Sequence, residues 1–269
     1  MTKTRRTVSR IYLALIFLFL YAPIFVMIAF SFNDSKSRAN WTGFTFKWYR
    51  ELFHNDLIMQ SLFNTLLVAV CASLLATLIG TIACFGIVRM RKYTRRTIEN
   101  LTYVPIINPE IVTGVSLMLL FVIFNRLFRF PFGFVSVLFA HVTFCLPYVI
   151  LSVLPKMRQA DYSLVEAAQD LGCTHLQALR KVLVPEILPG IITGALISFT
   201  YSLDDFVISY FTNGSTFQTL PITIFSMTRK KVTPQINALS AIIFVIVLIV
   251  LIAMNISEAK QLKKNKPRR

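Results

Sequence analysis

Cysteine and histidine are scarce in this sequence, and the few that occur do not form a set of ligands. The four cysteines are scattered, without the paired spacing of a zinc site or a disulfide framework: Cys71, Cys84, Cys145 and Cys173. Three of them fall inside apolar runs, where cysteine behaves as a small hydrophobic residue. The three histidines are also far apart in the chain. The sequence therefore predicts no disulfide, no metal site and no cofactor.

Two signatures of catalysis are also missing. No G-x-x-x-x-G-K-[ST] loop occurs, so the chain has no recognisable means of binding the phosphates of ATP. No nucleophile paired with a base is recognisable either. We therefore expect a protein that is not an enzyme on its own.

Acidic residues are few, since 12 Asp and Glu stand against 28 Lys and Arg, a formal net charge of +16. In a soluble protein this excess would suggest nucleic acid as a partner. Here the basic residues cluster just outside long apolar runs, so membrane topology explains them better. A helix at 174–183 that reads nucleic acid is excluded because the segment is tethered between two such runs.

Apolar residues are abundant: they make up 55% of the chain, and 24 of them are phenylalanine. Six runs are long enough to cross a membrane, which takes about 20 residues for about 30 Å of hydrocarbon. They cover 11–32, 62–88, 101–124, 134–154, 187–211 and 236–257. The first run is too long for the core of a signal peptide, so we expect a retained helix. The sequence predicts an all-α integral membrane protein with six transmembrane helices.

The distribution of positive charge predicts the orientation of these helices. Six spans place both termini on one side, and most Lys and Arg lie in the two tails, in 89–96 and in 156–181. The positive-inside rule makes these segments cytoplasmic. The predicted division is a cytoplasmic tail (1–10), a first transmembrane helix (11–32), an extracellular loop (33–61), a core of five helices (62–257) and a basic cytoplasmic tail (258–269).

One long stretch, 161–189, mixes polar and apolar residues between two apolar runs. Ser163 stands three residues before Glu166, and Thr174 three residues before Gln177. Each pair has the spacing of a capping box, in which two side chains satisfy free amides of a first helical turn. The stretch therefore predicts two short helices.

Glycine and proline predict where these helices end. Gly172 accepts the left-handed conformation that closes many helices. Pro185 and Pro189 are expected to end the second helix and to start a new one. The first helix places four small or apolar residues on one face: Leu164, Ala167, Ala168 and Leu171. By pattern alone, this helix is either a partner's docking surface or an amphipathic connector that packs under its own bundle.

The spelling of this stretch resembles the EAA motif of ABC importer permeases. The motif is carried by Glu166-Ala167-Ala168, Gly172 and the run Val182-Leu183-Val184-Pro185, where the two valines replace the family's usual Ile and Leu. The resemblance implies a type I importer permease fold whose cytoplasmic coupling helix, about 161–172, docks on a separate ATPase subunit. The coupling residues that it implies are Glu166, Ala167, Ala168, Asp170, Leu171, Gly172 and Pro185.

Three carboxylates fall inside predicted spans. An ionised group in hydrocarbon is costly unless it is paired or faces water, so Glu110, Asp204 and Asp205 are candidates for a solute path. Glu110 is expected near mid-membrane, where Pro105 and Pro109 should interrupt the helix.

A tyrosine accompanies these acids. Tyr201 is expected to share a face with Asp205 at a spacing of four. Carboxylates and a tyrosine face suit a cationic solute. No Lys or Arg lies within the predicted spans, so we expect these acids to have no partner within the chain, although a partner subunit could supply one.

Several runs also resemble the permeases of spermidine/putrescine importers: NWTGFTFKWY, HVTFCLPYVI, EAAQDLG, SLDDFVISYF and TLPITIFSM. The resemblance implies polyamine import by a heterodimer with a second permease subunit, two ATPase subunits and an external polyamine-binding protein, in contact with membrane lipids. The aromatic residues of the first run fit either an interfacial belt or a docking edge for that binding protein.

Two other functions stay open at this stage. One is an ABC permease for another solute, such as iron, an oxyanion or a phosphonate, although acids in the spans argue against an anion. The other is a gradient-driven transporter whose acids relay protons, which leaves the spaced EAA motif unexplained.

Overall fold

The computed structural model describes residues 3–35, 40–215, 217–230 and 234–264. Within these ranges the regular structure is helical, apart from one bridge between Asn33 and Phe44. The helices are α1 (Lys3–Ser31), α2 (Lys47–Phe53), α3 (Asp56–Arg89), α4 (Lys92–Ile107), α5 (Glu110–Phe128), α6 (Phe134–Gln159), α7 (Tyr162–Asp170), α8 (His175–Ala178), α9 (Val184–Asp204), α10 (Val207–Thr212), α11 (Leu220–Lys230) and α12 (Pro234–Lys264). The predicted all-α class is confirmed.

Five helical stretches are long and apolar enough to cross a membrane. They are Ser9–Ser31, Asp56–Arg89, Glu110–Phe128, Phe134–Gln159 and His175–Asp204. The sixth predicted run, 236–257, lies within α12, where Pro234–Ile249 is a shorter apolar stretch. Most side chains of 250–257 are outside the described residues. The chain is a multi-pass membrane protein.

The chain divides into two compact units, 1–59 with 224–269 and 60–223. In the first unit, α12 packs against α1 and α2. Trp48 of α2 is buried and donates its indole N–H to the carbonyl oxygen of Asn33 at 2.7 Å. Trp48 is therefore a packing residue, whereas Trp41, Phe44 and Phe46 of the same aromatic run are exposed.

Small residues make the centre of the second unit, where α6 packs against α9. A Cβ atom at Gly190 would lie 2.9 Å from the Ser152 carbonyl oxygen, and one at Gly194 would lie 3.2 Å from the Val149 Cα atom. Such close approach of two backbones is typical of Gly-x-x-x-Gly packing between membrane helices. Further along the same helix, Ser198 and Ser202 are also buried. The packing against α6 therefore determines which face of α9 remains exposed.

The third predicted span begins later than the sequence suggested. A break at Asn108-Pro109 separates α4 from α5, and Asn108 is extended (φ −71°, ψ 135°). Proline disfavours helical geometry in the residue before it, which explains the break. The expectation that Pro105 also interrupts the helix is wrong, because α4 continues through it to Ile107.

Pro185 and Pro189 do not end a helix, so that expectation is also wrong. The chain is helical from His175 to Asp204, with a π-helical turn at Leu179–Leu183 between α8 and α9. The Val184 N–H bonds to the Leu179 carbonyl oxygen. Widening the helix before a proline is one way to accommodate the N–H that proline lacks.

Candidate coupling surface and solute path

Helix α7 starts with a different cap from the one predicted. Asp161 is the N-cap residue, and its carboxylate accepts the Ser163 N–H at 3.0 Å. The capping box expected at Ser163 and Glu166 is therefore wrong, because the chain already offered a better acceptor two residues earlier. Hydrogen bonds from Ser163 lower the pKa of the Asp161 carboxyl. The capping box at Thr174 and Gln177 is confirmed, with bonds of 3.4 and 3.0 Å.

Gly172 ends α7 in the predicted manner. Its φ is +89°, its N–H bonds to the Gln169 carbonyl oxygen at 2.8 Å, and the Cys173 N–H bonds to the Ala168 carbonyl oxygen at 3.0 Å. These two bonds form a Schellman motif, which needs a left-handed residue between them. The sharp turn from α7 into α8 thus depends on glycine.

The outward side of α7 combines carboxylates with exposed apolar groups. Glu166, Ala167 and Asp170 are exposed. The Leu171 side chain is 87% exposed, and Leu176 at the start of α8 is 68% exposed. Exposed apolar residues that form a patch rimmed by polar groups are typical of a partner-binding surface. We name this surface the coupling surface: Leu164, Glu166, Ala167, Asp170, Leu171 and Leu176.

The inward side of α7 fixes that surface to the bundle. Val165 is 5% exposed and belongs to the core, and Ala168 packs against it. Of the face predicted for docking, Ala168 therefore faces inward, whereas Leu164, Ala167 and Leu171 face outward.

Polar contacts tie both ends of the hairpin to neighbouring helices. His175 lies 2.8 Å from the Arg89 guanidinium and 2.7 Å from the Gln169 amide nitrogen. The Glu186 carboxylate accepts the Asp161 N–H at 3.1 Å. Pro185, beside Glu186 at the start of α9, is exposed. The hairpin is therefore held on α3 and α9.

Two of the predicted path residues come together around a tyrosine that the sequence analysis did not select. Tyr201 of α9, 44% exposed, stacks on Tyr148 of α6 with ring centroids 4.4 Å apart. Glu110, the exposed first residue of α5, acts electrostatically on the Tyr148 hydroxyl. Phe144 packs edge-on against both tyrosine rings. The run HVTFCLPYVI contains both Phe144 and Tyr148, and their spacing of four residues was the available signal.

The adjacent acids Asp204 and Asp205 lie in opposite environments. Asp204 ends α9 and is exposed, three residues after Tyr201 and on its face. Asp205 has an extended backbone (φ −66°, ψ 120°) and is buried. The predicted pairing of Tyr201 with Asp205 on one helical face is therefore wrong, because the helix ends before Asp205.

Asp205 also has hydrogen-bond partners within the chain, which the sequence analysis did not predict. Its carboxylate lies 3.3 Å from His141 Nε2 and accepts the N–H groups of Ile208 and Ser209. The expectation of an unpaired acid is wrong here, because it overlooked His141 and the amides that a helix break sets free. A direct contact of Asp205 with solute stays a prediction.

Residues 72–261 match the family model described as "binding-protein-dependent transport system inner membrane component". The chain belongs to this family. It is thus a membrane-spanning permease subunit of an ABC importer, a class that works with a separate ATPase, a second permease subunit and a periplasmic binding protein. The permease itself is not the enzyme.

Curated relatives cover nearly the whole chain. The spermidine/putrescine transport system permease protein PotC of Escherichia coli strain K12 is 37% identical over 254 residues, 94% of this chain and 95% of that protein. The putrescine transport system permease protein PotI of the same strain is 40% identical over 230 residues, 84% and 82% of the two chains.

A solved structure confirms the importer permease fold. A bacterial ABC transporter for the acidic polysaccharide alginate matches with a TM-score of 0.70 at 15% identity, over 98% of this chain and all of that one. At this identity the match shows the fold alone.

Proposed function

We propose that this chain is the permease subunit of an ATP-driven importer of polyamines such as spermidine and putrescine. The observation that carries the proposal is a group of two exposed carboxylates and a stacked, partly exposed tyrosine pair on α5, α6 and α9, in a chain 37% identical to a spermidine/putrescine permease. We name this cluster the acidic–tyrosine cluster: Glu110, Tyr148, Tyr201 and Asp204.

The chemistry of this cluster suits a linear polyamine. A carboxylate attracts an ammonium group, and an ammonium over an aromatic face gains about 0.5–2 kcal/mol, more where water is excluded. Glu110 and Asp204 lie on different helices and are both exposed, so two separate carboxylates are available to the ammonium groups of a polyamine. The two stacked tyrosine rings supply a face for the methylene segments.

The coupling surface supplies the connection to ATP. Exposed Leu171 and Leu176 suit a cleft on a cytoplasmic ATPase subunit, and Gly172 fixes the turn between them. In this proposal both termini and the α7–α8 hairpin are cytoplasmic, as the distribution of Lys and Arg predicts. The predicted division into tails, first helix, external loop and core belongs to the same proposal.

The assembly that we propose contains this permease, a different second permease, two ATPase subunits and an external polyamine-binding protein, surrounded by membrane lipids. Closure of the ATPase dimer would draw the two coupling hairpins together and open the solute path outward. Solute would then pass from the binding protein to the acidic–tyrosine cluster. Reopening of the dimer would turn the path inward, which is alternating access.

Another cargo is the second candidate, since the fold alone also serves an importer of an acidic polysaccharide. The exposed acids Glu110 and Asp204 argue against an anion at this surface. An iron, oxyanion or phosphonate permease would have to bind its solute elsewhere.

Reconstituted uptake tests the role of the acidic–tyrosine cluster. The assembled transporter in proteoliposomes would carry Tyr201→Phe, which keeps the ring, or Tyr201→Leu, which removes it. We expect normal spermidine uptake for the first variant and a rise in KM of about fivefold or more for the second, given the size of a cation–π contact. Glu110→Gln should raise KM in the same way. Equal KM values for Tyr201→Leu, Glu110→Gln and the unmodified chain would contradict the assignment.

A further inference from the structure

A buried polar cluster joins α6, α9 and α10. His141 Nδ1 lies 2.6 Å from Ser202 Oγ. Its other nitrogen, Nε2, lies 2.9 Å from Ser209 Oγ and 3.3 Å from Asp205 Oδ2. The side chains of His141 and Asp205 are only 1% and 3% exposed. A buried carboxylate is stable only when it is paired, and here the imidazole supplies the partner.

Asp205 also holds the start of the next helix. Its two carboxylate oxygens accept the Ile208 N–H at 3.2 Å and the Ser209 N–H at 2.7 Å. These amides belong to the first turn of α10, which has no carbonyl partners of its own for them. The same carboxylate therefore joins the cap of α10 to the imidazole on α6.

This anchoring determines where the exposed residues lie. Because the Asp205 side chain is fixed inward and its backbone is extended, the preceding Asp204 is left exposed at the last turn of α9. Tyr201 stands one turn earlier on the same face. Tyr148, which stacks on Tyr201, stands two turns after His141 on α6. Helix α6 thus carries both the buried His141 and the half-buried ring of Tyr148.

We propose that His141 and Asp205 are positioning residues that hold the break between α9 and α10 and thereby present Asp204 and Tyr201 to the cationic solute. This positioning role does not require either residue to touch the solute. The identity of the solute rests on the proposed function, but the positioning role does not. Loss of one partner of a buried, charge-assisted hydrogen bond shifts a local equilibrium by about tenfold or more, so the break should lose its fixed geometry in variants of either residue.

The position of residue 204 can be measured by chemical labelling, without any transport. The reference chain carries Cys71→Ser and Cys173→Ser, which removes the partly exposed thiols. A cysteine is introduced by Asp204→Cys, and a control cysteine by Thr193→Cys, an exposed position on the same helix away from the break. The assembled transporter is then labelled with a cationic methanethiosulfonate reagent, and the rates are compared.

Two substitutions of His141 distinguish positioning from simple packing. His141→Gln keeps a donor for Asp205, whereas His141→Leu removes it. We expect His141→Leu to change the labelling rate at position 204 by about tenfold and to leave the rate at position 193 unchanged. His141→Gln should stay within about twofold to threefold of the reference at both positions. If the rate at 204 is the same in all three backgrounds, the proposal is overturned.

A companion variant covers the case in which His141→Leu does not assemble. Asp205→Asn keeps the shape of the side chain and loses its charge, so it should also change labelling at 204 and not at 193. An unchanged rate at 204 in an assembled Asp205→Asn transporter overturns the proposal equally.

Uptake measurements then separate this inference from the assignment of the solute. Both His141→Leu and Asp205→Asn should raise the KM for spermidine more than they lower the maximal rate, since the solute-binding groups remain but are misplaced. Altered labelling at 204 without any polyamine uptake by the reference transporter would reject the solute and support the positioning role. Normal polyamine uptake with unaltered labelling in the variants would support the solute and reject the positioning role.

Discussion

Replacing Gly172 by valine changes one backbone conformation at the centre of the coupling surface and little else. Nothing lies within 4 Å of a Cβ atom built at this glycine, so there is room for a larger side chain. The φ of +89°, however, lies in the region that L-residues rarely adopt. A residue other than glycine loses about 1–2 kcal/mol in a left-handed conformation, and the branched valine should be at the upper end.

A cost of this size weakens the turn without unfolding the chain. About 1–2 kcal/mol corresponds to a factor of about 5–30 in an equilibrium. The two bonds of the Schellman motif, from Gly172 and Cys173, would be lost in that fraction of molecules. Leu171 would then leave the position in which we propose that an ATPase subunit binds it. We expect uptake per ATP hydrolysed to fall about fivefold or more, while the thermal unfolding of the complex changes little.

Gly172→Asn is the matched control, because asparagine tolerates the left-handed region far better than valine. The assay measures ATP hydrolysis and spermidine uptake on the same proteoliposomes for both variants. If the valine variant couples ATP to uptake as well as the asparagine variant does, the reasoning about the turn is refuted.

Three further predictions follow from other contacts. Leu171→Glu should reduce co-purification of the ATPase subunit about tenfold or more, because it places a charge in an apolar contact. The free energy of unfolding should change by less than about 0.5 kcal/mol, because the side chain is exposed. Undiminished co-purification would contradict the docking role. Gly194→Val should destabilise the purified chain by about 1–3 kcal/mol, since its Cβ would lie 3.2 Å from a backbone atom of α6, whereas Gly86→Val, with nothing within 4 Å, should cost clearly less in the same thermal unfolding assay. Glu99→Arg should lower uptake by breaking the ion pair with Arg158 that joins α4 to α6. The charge swap Glu99→Arg with Arg158→Glu should restore part of the uptake. If the losses of uptake in the two single variants simply add in the double variant, the pair is unimportant.

Features that depend on neighbouring residues could be predicted from the sequence. The turn at Gly172 and the cap at Thr174 each depend on residues within one helical turn, and both were predicted correctly. Five of the six predicted apolar runs fall on helices that are long and apolar enough to cross a membrane, because length and hydropathy are read from consecutive residues. The resemblance of the EAA stretch and of the longer runs to known permeases placed the chain in its family.

Features that depend on tertiary contacts could not be predicted in this way. His141 and Asp205 are 64 positions apart, and only the packing of α6 against α9 and α10 brings them together. The burial of Asp205 beside the exposed Asp204 depends on where α9 ends, and no local signal marked that end. The helix that continues through Pro185 depends on a π-helical turn, which has no simple sequence pattern. Counting Lys and Arg along the predicted spans therefore does not reveal partners such as the backbone amides and the His141 imidazole that bind Asp205.

Uptake of labelled spermidine by proteoliposomes tests the central claim most directly. The proteoliposomes would hold this chain with its second permease, its ATPase and its binding protein. Uptake would be measured with and without ATP on the side of the membrane that carries the ATPase subunits. We predict uptake that requires ATP and that unlabelled putrescine competes away. ATP hydrolysis without polyamine uptake would contradict the assigned solute, and uptake that does not require ATP would contradict the role of the coupling surface.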